Sequence, residues 1–181
     1  MEFTDRTEKL LAEIRTVLEG MNGTDINNVV KSILDAKIIF TYGVGRSALV
    51  AKAFSIRLVQ MGLKAHFIGE STTPIVTKDD VLVVVSNTGE TYSAIQTARV
   101  SKSLGVKIIV ITSSQYSKLG QLGNYVVILP SNATKDFGDI APLGTLFEAS
   151  ALILFDALIS QLMKELGESD ASMRERHAIW V

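Results

Sequence analysis

Six consecutive residues, Ser86-Asn87-Thr88-Gly89-Glu90-Thr91, combine side chains whose shared use is to hold an anion such as a phosphate. Gly89 lets the backbone pass close to a ligand, and Ser86, Thr88 and Thr91 supply hydroxyl donors. The run follows the apolar stretch Val81 to Val85 and precedes a helical pattern from Thr91 to Leu104. It therefore occupies a strand-to-helix turn, where unpaired N–H groups and the positive end of a helix face outward. Ser, Thr and Gly are also ordinary capping residues, so the hexapeptide alone leaves a plain capped loop open as the alternative.

A second glycine run, Gly43-Val44-Gly45-Arg46-Ser47, follows the β-rich stretch Lys37 to Tyr42 and opens a helical pattern from Ser47 to Met61. It makes a poor dinucleotide fingerprint. Ala48, an allowed variant, stands in the third glycine's place, but no acidic residue ends the second strand region cleanly, because His66-Phe67-Ile68-Gly69 precedes Glu70. No Gly-Lys-Ser/Thr of a nucleotide-hydrolysing phosphate loop occurs either.

The elements that must carry these loops alternate. Residues Thr4 to Glu19 place Leu10, Leu11, Ile14, Val17 and Leu18 on one helical stripe, and Thr24-Asp25 can cap a second helix to about Ala36. Short apolar strands are expected at Lys37–Tyr42, Ala65–Ile68, Asp80–Ser86, Val106–Thr112 and Tyr125–Leu129. A short helix is expected around Ser117–Leu122, and Pro142, suited to a first helical turn, should open a long apolar helix to about Leu166. Strands apolar on both faces, alternating with helices, imply a parallel sheet covered on both sides. The expected fold is α/β: a three-layer αβα sandwich with a five-stranded parallel sheet of flavodoxin-like topology, preceded by N-terminal helices. The chain divides accordingly into helices at 1–36, a doubly wound core at 37–166 and a tail at 167–181. Ligands of such sheets bind beyond the strands' carboxyl ends, near the reversal of strand order, so both glycine loops should line one crevice.

Composition narrows the partners. The chain has 181 residues, 47% of them hydrophobic and 20% charged, as in one compact domain. A net charge of −1 without a basic run argues against nucleic acid. The lack of cysteine removes disulfides, thiolate catalysis and Cys-ligated metal, and fits a cytoplasmic location. The N-terminus Met1-Glu2-Phe3-Thr4-Asp5-Arg6 does not read as a secretory signal. The apolar segment Ile140 to Met163 approaches membrane-spanning length but carries Glu148 and Asp156. A mid-bilayer Asp costs about 2.5–3.5 kcal/mol on insertion scales, so a buried helix is the better reading and no membrane is expected.

The two loops, with Ser86-x-Thr88-Gly89-x-Thr91 after the third strand, resemble the SIS (sugar isomerase) domain of phosphosugar-binding proteins. Gly69-Glu70-Ser71-Thr72-Thr73-Pro74, Pro142-Leu143-Gly144-Thr145-Leu146-Phe147-Glu148 and Met173-Arg174-Glu175-Arg176-His177-Ala178 extend the resemblance along the chain. The last two segments are closest to the 6-phospho-3-hexuloisomerases. Asn87 and Thr88 stand where a smaller Gly-Ser is expected, and Ile179-Trp180-Val181 replaces a more polar ending. The resemblance implies interconversion of D-arabino-3-hexulose 6-phosphate and D-fructose 6-phosphate through an enediol, without metal or cofactor. It also implies pairing with a hexulose-phosphate synthase and a homo-oligomer, a tetramer in preference to a dimer.

On that reading Glu148 is the base, since a carboxylate serves when its surroundings suit proton abstraction and would be costly beyond the first turn of an apolar helix. An ion pair at a helix surface or subunit interface is its alternative. His177 can move the proton between enediol oxygens, or be a solvated tail histidine; acting across a subunit boundary, it would make the site shared. Gly45, Arg46, Ser47, Ser86, Asn87, Thr88, Gly89 and Thr91 are the expected phosphosugar-binding residues, with a structural ion pair the alternative for Arg46. Glu70, Thr72, Thr73 and Glu90 edge the pocket, although a helix start favours Glu90 in any case. His66 reads as a packed histidine. The rival functions are a phosphosugar sensor without catalysis, and isomerisation of another phosphosugar such as arabinose 5-phosphate or sedoheptulose 7-phosphate. The 36 residues before the first strand contain no basic recognition helix, so a sensor would need a separate DNA-binding partner.

Overall fold

The structure, a computed structural model, describes residues 2–21, 23–114, 116–130 and 137–177. Helices α1 (Phe3–Glu19) and α2 (Gly23–Asp35) precede an alternating core of β1 (Ile39–Gly43), α3 (Arg46–Gln60), β2 (Ala65–Phe67), β3 (Val81–Val85), α4 (Tyr92–Ser103), β4 (Lys107–Thr112) and β5 (Tyr125–Ile128). The long α5 (Thr145–Leu166) and the short α6 (Asp170–Glu175) close it. All five strands are parallel in the order β2-β1-β3-β4-β5, with Thr41 opposite Phe67 on one side and Val83 on the other. The order reverses between β1 and β3.

Every residue of β3 is buried, which requires cover on both faces of the sheet. One face, with Ile39, Val81, Val83, Ile109 and Ile111, packs on apolar residues of α1, α2, α3 and α5. The other, with Phe40, Leu82, Val84, Ile108 and Val110, packs on α4 and on Leu119. The layers are unequal, five helices (α6 through Met173) against one.

Three contacts fix α3 and α5 side by side and parallel. Arg46 meets Glu148 at one end; the rings of Phe54 and Phe155 stack at mid-length, 4.2 Å between centroids. At the far end Arg176 bridges the carbonyl of Gln60 to Glu168 just past α5. Both rings are almost wholly buried, and truncating such a ring costs about 3–5 kcal/mol. The close approach of β1 to α3 depends on Gly43, where a β-carbon would stand 2.8 Å from the backbone carbonyl of Ser47.

Two expectations for local structure change. Pro142 does not enter the helix: its carbonyl accepts from the N–H and hydroxyl of Thr145, making a turn before α5 begins at Thr145. Between β4 and β5 the described residues are helical only at Gly120–Leu122, a single 3-10 turn. By length and composition α5 could cross a membrane, but ten of its residues are buried within this fold.

Candidate functional site

The loops after β1 and β3 flank the reversal of strand order, where a parallel sheet opens a crevice. Helices α3, α4 and α5 begin at this edge, with Gly45, Thr91 and Gly144 as N-caps, and no side chain caps any of the three. No acidic residue lies in the first turn of α3 or α4. Three positive helix ends, joined by Arg46, favour an anion.

The Ser86–Thr91 loop is stitched by its own hydroxyls. Gly89 N donates to Ser86 Oγ at 3.2 Å, Glu90 N donates to Thr88 Oγ1 at 3.2 Å, and Ser86 Oγ lies 3.1 Å from Thr91 Oγ1. A hydroxyl that accepts a backbone N–H keeps its own proton to donate, so shaping the loop leaves protons for a ligand. The next strand end holds the loop from outside: the Asn87 carbonyl accepts from Ser113 N at 2.9 Å, Ser113 Oγ at 2.8 Å and Thr112 Oγ1 at 3.0 Å. Sequence reasoning missed Thr112, Ser113 and Ser117, although their place at the carboxyl end of β4, beside β3, was a usable signal.

Glu148 stands in the first turn of α5, not beyond it as the Pro142 start implied. There the helix end favours its charge. Its side chain is about 10% exposed, while that of Arg46, whose Nε donates to Glu148 Oε2, is 63% exposed. The pair is a buried carboxylate capped on its solvent side by an exposed cation. Gly144 brings Asn87 up to it: a β-carbon there would lie 3.2 Å from both Asn87 Nδ2 and Glu148 Oε1. The structure thus gathers Gly45, Arg46, Ser47, Ser86, Asn87, Thr88, Gly89, Thr91 and Glu148 around one edge of the sheet. Ser47 is buried in the first turn of α3.

The other expected residues lie elsewhere. Glu90 turns away to the neighbouring loop, accepting from the N–H of Lys118 and pairing with its ammonium at 2.9 Å. The backbone and then the side chain of Lys118 hold the Glu90 carboxyl below its ordinary range. Glu70 lines an apolar groove of about 340 Å³ along the outer side of α3 with Lys52, Ile56, Val59, Phe67 and Arg176. Thr73 Oγ1 folds back to the carbonyl of Glu70 at 2.7 Å, and Thr72 is exposed. His66 packs near Phe40, 6.3 Å between ring centroids.

His177 is exposed, and its N–H donates to Arg174 O. It follows Arg176, which is anchored at the carboxyl ends of α3 and α5. At 1.5 Å per residue, Glu148 to Leu166 spans about 27 Å of helix. Within one chain the two proton-transfer candidates are therefore not brought together. Among the described residues no group of three or more His, Asp or Glu side chains is arranged to hold a metal.

The SIS domain pattern matches residues 32–160. A 3-hexulose-6-phosphate isomerase of Bacillus subtilis (strain 168) is 32% identical over 182 residues, 98% of each chain. A 3-hexulose-6-phosphate isomerase of Methanocaldococcus jannaschii is 35% identical over 156 residues, covering 84% of this chain and 82% of its own. Among solved structures, the Methanococcus jannaschii protein MJ1247, for which a molecular function of 3-hexulose-6-phosphate isomerase was inferred, superimposes with a TM-score of 0.88 at 30% identity, over 98% of this chain and 99% of its own.

Proposed function

The chain belongs to the SIS domain family, and from that premise we propose that it is a phosphosugar isomerase, interconverting D-arabino-3-hexulose 6-phosphate and D-fructose 6-phosphate. The observation that carries the reading is Glu148, a buried carboxylate ion-paired to Arg46 at an edge where three uncapped helices begin. The names of the Bacillus and Methanocaldococcus relatives supply the choice of sugar.

In this mechanism the phosphate sits against the Ser86–Thr91 hydroxyls and the helix ends, which fixes the distance of each carbon from Glu148. The carboxylate removes the proton from C2 of the 3-ketose. The C2–H electrons form the C2–C3 double bond, the C3 carbonyl becomes an enediol oxygen, and a proton returned to C3 restores a carbonyl at C2. Moving the proton between the two oxygens requires a second group. His177 suits that role, and from the far end of α5 it would have to come from a second copy of the chain. No step calls for a metal or cofactor.

The test supplies D-arabino-3-hexulose 6-phosphate, made in situ by a synthase from ribulose 5-phosphate and formaldehyde, and follows fructose 6-phosphate through a coupled enzyme. Turnover that falls by about 10³-fold or more in Glu148→Gln, with fructose 6-phosphate still bound, is the expected result. Binding without turnover by the unaltered protein would overturn the isomerase reading in favour of a phosphosugar sensor. Turnover of arabinose 5-phosphate or sedoheptulose 7-phosphate instead would change the substrate while keeping the chemistry.

A further inference from the structure

The isomerase reading assigns Asn87 only to the phosphate loop, but its side chain lies beside the base. Gly144 forms the floor between them: a single point on its Cα, where a β-carbon would project, is 3.2 Å from Asn87 Nδ2 and 3.2 Å from Glu148 Oε1. The two atoms therefore stand within about 6.4 Å of each other, with no side chain on Gly144 between them. An amide oxygen turned toward the carboxylate would be repelled, so the field of Glu148 itself favours the NH₂ on this side. The carboxylate is also divided. Oε2 is held by Arg46 Nε, which leaves Oε1, the oxygen facing Asn87, as the one placed to take a proton.

We propose that Asn87 is a catalytic residue of this isomerase, its side-chain amide donating to the substrate carbonyl oxygen on the carbon next to the one that Glu148 deprotonates. The inference rests on the isomerase reading. A carbon held against Oε1 is bonded, about 1.5 Å away, to the carbonyl carbon, whose oxygen lies about 1.2 Å from it, and an amide donor about 2.9 Å from that oxygen closes the gap. The donor then meets negative charge that grows only as the proton leaves, so it stabilises the transition state more than the bound sugar. Its placement is braced. Three hydrogen bonds from Thr112 and Ser113 converge on the Asn87 backbone carbonyl, and substituting the side chain leaves that acceptor intact. Arg46, holding the other carboxylate oxygen, is a positioning residue in this scheme.

The experiment follows exchange of the C3 proton of fructose 6-phosphate for deuterium in D₂O by proton NMR, and measures the dissociation constant of fructose 6-phosphate by calorimetry. Asn87→Ala, which removes the donor, and Asn87→Asp, which replaces it by an acceptor of the same shape, should each slow exchange at saturation by about 10²–10³-fold. Affinity should change by less than about tenfold. Asn87→Ser, which keeps a donor on a short stem, should regain at least about tenfold over Asn87→Ala. Exchange within about threefold of the unaltered protein in both donor-free variants would overturn the inference and leave the isomerase intact. Loss of affinity with saturated exchange unchanged would also overturn it, returning Asn87 to the phosphate. Absence of exchange in the unaltered protein would instead overturn the isomerase reading and the inference with it.

Discussion

At Gly89 a β-carbon would stand 2.1 Å from Ser117 Oγ, 2.5 Å from its Cβ and 3.0 Å from Thr112 Oγ1, on a backbone at φ +65°. Two separate costs are joined there, a left-handed conformation worth about 1–2 kcal/mol for a side-chain-bearing residue and a collision. Gly89→Ala should destabilise the protein by about 2–4 kcal/mol. Adding Ser117→Gly should recover the collision part and leave the conformational part. Urea denaturation of both single variants and the double variant measures this, and a strictly additive pair would refute the packing account. The sequence marked Gly89 as a residue that lets the backbone pass close to a neighbour or a ligand. That Ser117 is what fills the space was not legible, because only the β3–β4 pairing brings the two loops together. Asn87 and Glu148 illustrate the same limit. Each is conspicuous in its own segment, but their meeting across Gly144 is a fact of tertiary structure.

Helices and strands were the readable level. Apolar runs with no alternation placed all five strands, and the two glycine loops marked the starts of α3 and α4. The start of α5 was misread because Pro142 is as well suited to a pre-helical turn as to a first helical position. Leu143, fully exposed at φ +56°, is what turns the chain between Pro142 and the N-cap Gly144. The docking of α6 was invisible as well, since it joins the buried Met173 to Arg176, which reaches both the Gln60 carbonyl of α3 and Glu168. Arg176 first, then Ser172, hold the Glu168 carboxyl below its ordinary value of 4.5. With the folded value lowered, the contribution of this contact is complete above that ordinary value and is lost as pH falls through the folded one. Amide exchange in α6 should therefore be unchanged from pH 8 to pH 5 (after correction for the intrinsic rate) and accelerate below about pH 4. Arg176→Gln should show the faster exchange at every pH. Acceleration already present near pH 6 would place the anchor elsewhere.

For the molecule as a whole, the distance between Glu148 and His177 is the testable quantity. If both serve one reaction, they do so from different copies of the chain, and the two defects must complement. Glu148→Gln and His177→Asn should each be nearly inactive alone. Mixed after reversible dissociation in equal amounts, they should regain about a quarter of the unaltered activity, since half of randomly formed dimers are mixed and each carries one intact site. Mixtures as inactive as their components would refute a shared site. An active His177→Asn protein would show that the proton moves without it. The architecture and the location of the crevice followed from strand patterning and the rule for parallel sheets, whereas the identity of the sugar came only through resemblance. Nothing in residue types measures the length of a carbon chain.

The parallel run of α3 and α5, pinned at both ends and at the stacked phenyl rings, affects events before any sugar has arrived. Antiparallel neighbours cancel each other's field. These two add, and α4 opens at the same edge. A protein whose formal charge is −1 thereby presents a dianion with a local attraction that its net charge conceals. On the proposed function, over about 8–10 Å at physiological ionic strength, such a field would draw a phosphosugar in by its phosphate, so that the sugar enters already oriented with its reacting carbons trailing toward the carboxylate.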